Sequence, residues 1–246
     1  MTIQISFNNY DLPRIVSWSE DNDTRLAAVT IVRKSGSLID AVSCLEPRVI
    51  SVKGYIYAAS SALVTAELDL LTTALNIGRS VLVFQDRWIW ATKQNFKINY
   101  ITGMQCCGLE YSATFYCDDP YWYKIDTTTY STSLTGNTQV CEITTGGTSD
   151  CYGTFTITPS GTMTKLRLLN GHASVQQWIE FDGSVAAGNA LVINCELQTA
   201  TNNGVNCLPN MTGDFFVFKG GVLNSIVVSG IGHAGVLSCA YLVRWQ

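Results

Sequence analysis

Two adjacent carboxylates, Asp118 and Asp119, have the chemistry for paired acid and base work or for holding a cation. They lie within Phe115-Tyr116-Cys117-Asp118-Asp119-Pro120-Tyr121-Trp122-Tyr123, which sets aromatic side chains on both sides of an Asp-Pro step. Neighbouring side chains point to opposite faces of a strand, and aspartates in a turn cap it or meet solvent, so the pair does not converge on one ligand. Proline fixes its own φ and holds Asp119 extended. The stretch is therefore a corner covered by aromatics, not a reaction centre.

The other reactive groups are scattered. Cys44, Cys106, Cys107, Cys117, Cys141, Cys151, Cys195, Cys207 and Cys239 form an odd set with no Cys-x-x-Cys spacing, which points to reduced, mostly buried thiols and to neither a disulfide framework nor a zinc site. His172 and His233 stand in Gly-flanked stretches without a nucleophile elbow nearby. Gly230-Ile231-Gly232-His233-Ala234-Gly235 matches a dinucleotide-binding spacing, but only Val236 to Gln246 follow it, and they have the pattern of a closing strand, not of a helix. Asp21-Asn22-Asp23 begins like a calcium loop and lacks the later Gly and Glu. No acid, base and nucleophile can be assembled, so the expectation is a protein that is not an enzyme and carries no metal or cofactor.

Composition points to an ordered, loop-rich β protein. Of 246 residues only 14% are charged, 5 are Pro, and the net charge is −4, which gives no general attraction for nucleic acid. No stretch has the layout of a secretory signal or the length of an apolar bilayer span, so no membrane insertion is expected.

The elements that must position these groups fall into two sets. In the first, Ile3, Ile5 and Phe7 alternate, as do Leu26, Ala28 or Val29 and Ile31 before a Lys34-Ser35-Gly36 turn, and Arg48 to Tyr57 is a strand with one aliphatic face. A helix follows, capped by Ser60 or Ser61 and ended by Gly78, with Leu63, Ala66, Leu70, Leu71, Ala74 and Leu75 as its docking stripe and Glu67 and Asp69 on a solvated face. Ser80 to Phe84 and Arg87 to Thr92 predict a hairpin about Gln85-Asp86, with Trp88 and Trp90 on one strand face. Phe96, Ile98 and Tyr100 then alternate, and Leu109 to Phe115 leads into the corner. This set is α+β: strand-rich with one helix.

Asp126 to Gly153 is rich in Thr, Ser and Gly and is expected to be the linker between a first domain, 1–125, and a second, 126–246. Beyond it come short strands at even spacing: Phe155 to Ile157, Leu166 to Leu168, Trp178 to Phe181, Leu191 to Ile193, Phe215 to Phe218 and Ser225 to Ser229. They are separated by a Pro159-Ser160-Gly161 turn, a Gly183 to Gly188 loop and an Asn203-Gly204 turn. That pattern predicts an antiparallel β-sandwich, with 236–246 as a last strand that could return to the first domain.

Several segments in order resemble the distal tail protein (Dit) family of long non-contractile-tailed bacteriophages. They are Arg48 to Gly54, Leu63 to Leu75 with Gly78, Asp119-Pro120-Tyr121-Trp122-Tyr123, Thr156 to Gly161, Ile193 to Glu196, Asn203 to Asn206, Gly213 to Lys219 and Asn224 to Gly230. The resemblance implies a mainly β structural virion protein made in the host bacterial cytoplasm, with a ring-forming α+β N-terminal domain followed by a galectin-like antiparallel β-sandwich. It further implies a hexameric ring at the distal end of the tail tube, joining the tube protein above to the tail-tip hub below. DNA would pass the channel without specific binding. The subunit-contact candidates are Trp88, Trp90, Tyr121, Trp122 and Tyr123, more apolar surface than a small domain easily buries. The rival expectation is a carbohydrate-binding sandwich that attaches to host-surface glycans by stacking a sugar on an outward Trp178 beside an inward Ile179.

Overall fold

The computed structural model describes residues 4–21, 24–25, 28–30, 37–39, 44–101, 107–135, 138–171, 177–232 and 234–246. The Lys34-Ser35-Gly36 turn, Asn22-Asp23, Cys106, His172 and His233 lie outside them. The chain divides into two compact units, Met1–Trp122 and Tyr123–Gln246.

In the first unit the strands are β1 (Ile5–Phe7), β2 (Tyr10–Asp11), β3 (Ile15–Asp21), β4 (Thr24–Arg25), β5 (Ala28–Thr30), β6 (Ser37–Ile39), β7 (Cys44–Leu45) and β8 (Arg48–Tyr57). Helix α1 (Ser61–Leu75) precedes β9 (Ser80–Phe84), β10 (Arg87–Tyr100) and β11 (Gly108–Cys117); β12 (Trp122–Lys124) begins where the unit ends. The main sheet runs β2-β1-β9-β10-β11-β8-β3, every pair antiparallel. Period-two alternation is regular in β8, which lies between β11 and β3: Arg48, Ile50, Val52, Gly54 and Ile56 are buried, and the residues between them are not. The Phe96, Ile98 and Tyr100 segment is the continuation of β10, separated from the Trp88 half by a bulge between Lys93 and Asn95.

Helix α1 starts as expected, with Ser60 as N-cap accepting from the Leu63 N–H. The face it docks differs from the expected stripe. Val64, Leu71, Ala74 and Leu75 are buried, whereas Leu63 and Leu70 are each 56% exposed. Two apolar stripes overlap in this sequence, and 64-71-75 is the one that meets β8 and β11. Glu67 lies on the docking side, not on a solvated face: it is half-buried and accepts from the Tyr10 hydroxyl at 2.5 Å.

The second unit contains β13 (Thr128–Leu134), β14 (Thr138–Thr144), β15 (Cys151–Pro159), β16 (Met163–Asn170), β17 (Gln177–Val185), β18 (Leu191–Asn194), β19 (Thr199–Asn202) and β20 (Val205–Asn206). A 3₁₀ turn at Leu208–Asn210 leads to β21 (Met211–Gly213), β22 (Val217–Phe218), β23 (Leu223–Ile231), β24 (Gly235–Tyr241) and β25 (Arg244–Trp245). One sheet runs β13-β24-β15-β18-β19-β20 and the other β14-β23-β16-β17-β21. Their inner faces share one core, with Phe155, Ile157, Ile193 and Leu237 from the first sheet and Ile143, Leu168, Phe181 and Val228 from the second. The unit is an antiparallel β-sandwich, and the chain as a whole is mainly β.

Two expectations need correction. The stretch 126–153 is not a linker: it holds β13, β14 and the start of β15, because Thr is β-branched and suits an edge strand with one polar face. β17 runs on to Val185, into the expected Gly183 to Gly188 loop. Of the segment 236–246, β24 pairs with β13 and β15 inside the second unit, and β25 pairs with β12.

Candidate functional site

The Asp-Pro corner is built from beneath by a buried cation. Arg48 occupies an inward position of β8, 1% exposed, where its guanidinium pairs with Glu20 of β3 and its Nε donates to the Pro120 carbonyl at 3.1 Å. Glu20 also accepts from the Trp122 indole N–H at 3.3 Å. One carboxylate thus holds both the arginine and the first buried aromatic after the turn. Burial pushes the Arg48 pKa down from its usual value, and pushes the neighbouring Cys117 thiol up to about 12 against the pull of that cation.

The carboxylates at the corner are occupied with structure. Asp118 meets Arg79 through two contacts, Nε at 3.1 Å and Nη2 at 3.0 Å. Asp119 accepts from the Tyr121 N–H at 3.2 Å, the local turn bond that aspartate favours. Arg79 also lies 4.9 Å over the Trp90 ring, and Trp90 meets Trp88 edge-on at 5.5 Å. Opposite these tryptophans on β9 stand Val83 and Val81. The result is a half-buried ledge of Val81, Val83, Trp88 and Trp90.

The expected contact residues therefore separate. Trp88, Trp90 and Tyr121 are half-buried, while Trp122 (4% exposed) and Tyr123 (7%) are inside the chain. Trp122 packs 6.4 Å from Phe84, which itself lies 4.4 Å from Trp18, and Arg244 lies over Tyr123 at 5.0 Å. In the second unit Trp178 is half-buried beside inward Ile179, and the Arg167 guanidinium lies 4.8 Å over its ring.

Among the described residues no three His, Cys, Asp or Glu side chains come together to hold a metal, and no helix is long and apolar enough to cross a membrane. Cys107, Cys117, Cys141, Cys151, Cys195, Cys207 and Cys239 are free thiols. The dinucleotide-like glycines are followed by β24, not by the helix such a site needs.

A model of the siphovirus-type tail component, C-terminal domain, matches residues 146–245. The second unit belongs to that family. A solved structure, the Dit (gp 19.1) protein of SPP1, described as a paradigm of hub adsorption apparatus in phages infecting Gram-positive bacteria, is similar over 100% of both chains. Its TM-score is 0.79 at 12% identity, which shows that the fold is shared along the whole length, first unit included. The infectious bursal disease virus Gt strain structure covers 98% of this chain and 57% of its own at 12% identity, but its TM-score of 0.25 carries no argument. No curated protein matches the sequence. The resemblance to distal tail proteins is thereby shown, and the chain is a structural component of the phage tail, placed in the tail of the virion.

The Glu20–Arg48 pair was not singled out from sequence, although Arg48 shares the inward register of Ile50 and Val52 and so needed a buried partner.

Proposed function

We propose that the protein forms a closed hexameric ring at the distal end of the tail tube, joining the tube protein above to the tail-tip hub below. The observation that carries this is the coincidence of the family match over 146–245 with a fold shared end to end with a tail-hub protein. The first unit supplies the subunit contacts. Its Trp88–Trp90 ledge, Tyr121, and the outward helix residues Leu63 and Leu70 are apolar surface of the kind that interfaces bury. Ring closure needs two different complementary patches on each subunit, and the β10 ledge and the outward face of α1 provide two. Trp122 and Tyr123, already buried, act by shaping the corner and not by touching a neighbour.

Six chains of net charge −4 give a ring that does not attract the phosphate backbone, so DNA passes the channel without specific binding. The role is mechanical, needs no catalysis and no membrane insertion, and places synthesis in the host bacterial cytoplasm ahead of assembly. Mass photometry of the purified chain, with electron-microscope class averages of the chain co-expressed with its tail neighbours, tests the ring directly. Hexameric rings are expected, and both Trp90→Glu and Leu70→Glu should return them to monomers. Monomers under both conditions for the unmodified chain would refute the proposal.

A further inference from the structure

Only two asparagines in the chain precede a glycine, Asn170 and Asn203. In that dipeptide the following backbone nitrogen has no side chain on its own residue to shield it, and it can attack the asparagine side-chain carbonyl. The fold treats the two copies oppositely. Asn203-Gly204 is the tip of the β19–β20 hairpin, both residues exposed, with φ of 48° and 80° in the two-residue turn that sets Asn202 opposite Val205. Asn170 is the last residue of β16 and is 1% exposed.

The hydrogen bonds differ in the same way. At the tip nothing lies within 4 Å of where a Cβ on Gly204 would stand, and among the described residues none accepts from the Gly204 N–H. The turn is anchored one residue earlier, where the Asn203 N–H donates to the Ala190 carbonyl at 2.8 Å. At the end of β16 the Gly171 N–H donates to the Ser225 carbonyl at 2.8 Å, and the Asn170 Nδ2 donates to the Val217 carbonyl at 3.1 Å. There the attacking nitrogen and the leaving amide are both held, and reaction needs the strand end to open first.

We propose that Asn203 is a site of spontaneous deamidation, a slow one-way modification of the second unit from which Asn170 is protected. The Gly204 nitrogen, deprotonated by hydroxide, bonds to the Asn203 Cγ. The Cγ–Nδ2 bond breaks, and the leaving nitrogen takes a proton from water and departs as ammonia, which closes a five-membered succinimide. Water then opens either ring carbonyl and gives aspartate or isoaspartate at position 203. The net reaction consumes one water and releases ammonia. Either product puts a carboxylate into a surface lined by Asn189, Asn202, Asn206 and Asn210 with no charged residue among the lining. Isoaspartate also lengthens the main chain by a methylene in a hairpin whose register depends on a two-residue loop, so the Asn202–Val205 and Thr201–Asn206 pairs are the first to be lost.

The test is incubation of the full folded chain at about pH 7 and about pH 9, followed by digestion and peptide mass mapping, beside a synthetic peptide of residues 199–208 treated alike. The mass change of an amide becoming an acid should accumulate at Asn203 about 100-fold or more faster than at Asn170, the factor that a local opening of a bonded strand end imposes. Its rate should rise about tenfold or more between the two pH values, because the attacking nitrogen must first lose its proton. Asn203→Gly, which keeps a residue that accepts positive φ, should remove the change at the tip and leave Asn170 unmodified. Equal rates at the two asparagines, or modification of Asn170 first, overturns the proposal. So does an Asn203 that is still unmodified when the peptide is fully converted, or a rate at Asn203 that does not depend on pH.

Discussion

Removing the Glu20 carboxylate should destabilise the first unit more than removing the arginine it pairs with. Arg48 is 1% exposed, and its contacts are Glu20 and the Pro120 carbonyl at 3.1 Å, with one guanidinium nitrogen already buried without a partner. In Glu20→Gln the cation stays buried with its counter-charge gone, a change that typically costs about 3–5 kcal/mol. In Arg48→Met the buried charge leaves with the side chain. Glu20, whose side chain is 23% exposed, reaches water and keeps Trp122. What remains is the unmet Pro120 carbonyl and some repacking, about 1–2 kcal/mol. The double variant should cost no more than Arg48→Met alone, which implies a coupling of about 3 kcal/mol. Urea unfolding followed by tryptophan fluorescence reads this, since Trp18, Trp88, Trp90 and Trp122 all lie in the first unit. If Glu20→Gln costs no more than Arg48→Met, or the two single changes simply add, the pair is not what holds the corner.

Four further outcomes follow from the same geometry. Leu71→Ala should cost about 2–5 kcal/mol and Leu70→Ala less than about 0.5 kcal/mol by the same unfolding assay, because only Leu71 is buried; equal losses would place the docking face wrongly. Gly54→Ala should destabilise by about 1–3 kcal/mol or more, because a Cβ there would come within 2.5 Å of the Tyr111 hydroxyl and 2.6 Å of the Pro13 carbonyl that this hydroxyl bonds; an unchanged melting temperature would contradict it. In the second unit burial pushes the Cys151 thiol up to about 11 and Cys195 to about 12 from an ordinary value of 9.0, so the folded state keeps protons that the unfolded chain releases. Stability from these groups is full below about pH 9 and is lost as pH rises through 11 to 12, by up to about 1.4 kcal/mol per pH unit per thiol; a melting temperature flat from pH 8 to about 11 would refute it. Thiol labelling of the native chain at neutral pH should reach half-buried Cys107 well before buried Cys117, Cys195 or Cys239, and equal labelling would deny their burial.

Much of the architecture was legible because strands declare themselves by alternation. β8, β11, β15 and β23 bury every second residue, and a one-residue slip would turn each aliphatic set outward. Reading failed where two rules point the same way. In α1 the series 63-66-70 and 64-71-75 are both apolar at helical spacing, and only the sheet beneath decides between them. In β13 the side chains before the buried Leu134 are Thr, Ser and Tyr with one half-buried face, so composition suggested a linker while the backbone pairs fully with β24. The candidate sites divide in the same way. The Asp-Pro corner is contiguous and was visible as a corner, but the Glu20–Arg48 pair beneath it forms through β3–β8 pairing that no local window contains.

Trp178 shows why an outward aromatic is weak grounds for a glycan platform. The strand register does place it opposite in direction to buried Ile179, as alternation requires. Stacking a sugar needs a bare ring face, and the Arg167 guanidinium lies 4.8 Å over this one. The β21 backbone also comes close: a Cβ at Gly213 (φ 97°) would come within 2.1 Å of the Trp178 carbonyl and 2.9 Å of the ring at Cε3, so glycine is required for β21 to pair there. The indole is thus clasped between a cation and a strand. Its loss should be felt in stability, by about 1–2 kcal/mol for a half-buried tryptophan. Trp178→Ala that left the unfolding free energy intact would show the indole to be unclasped and would return the platform reading to the tryptophan.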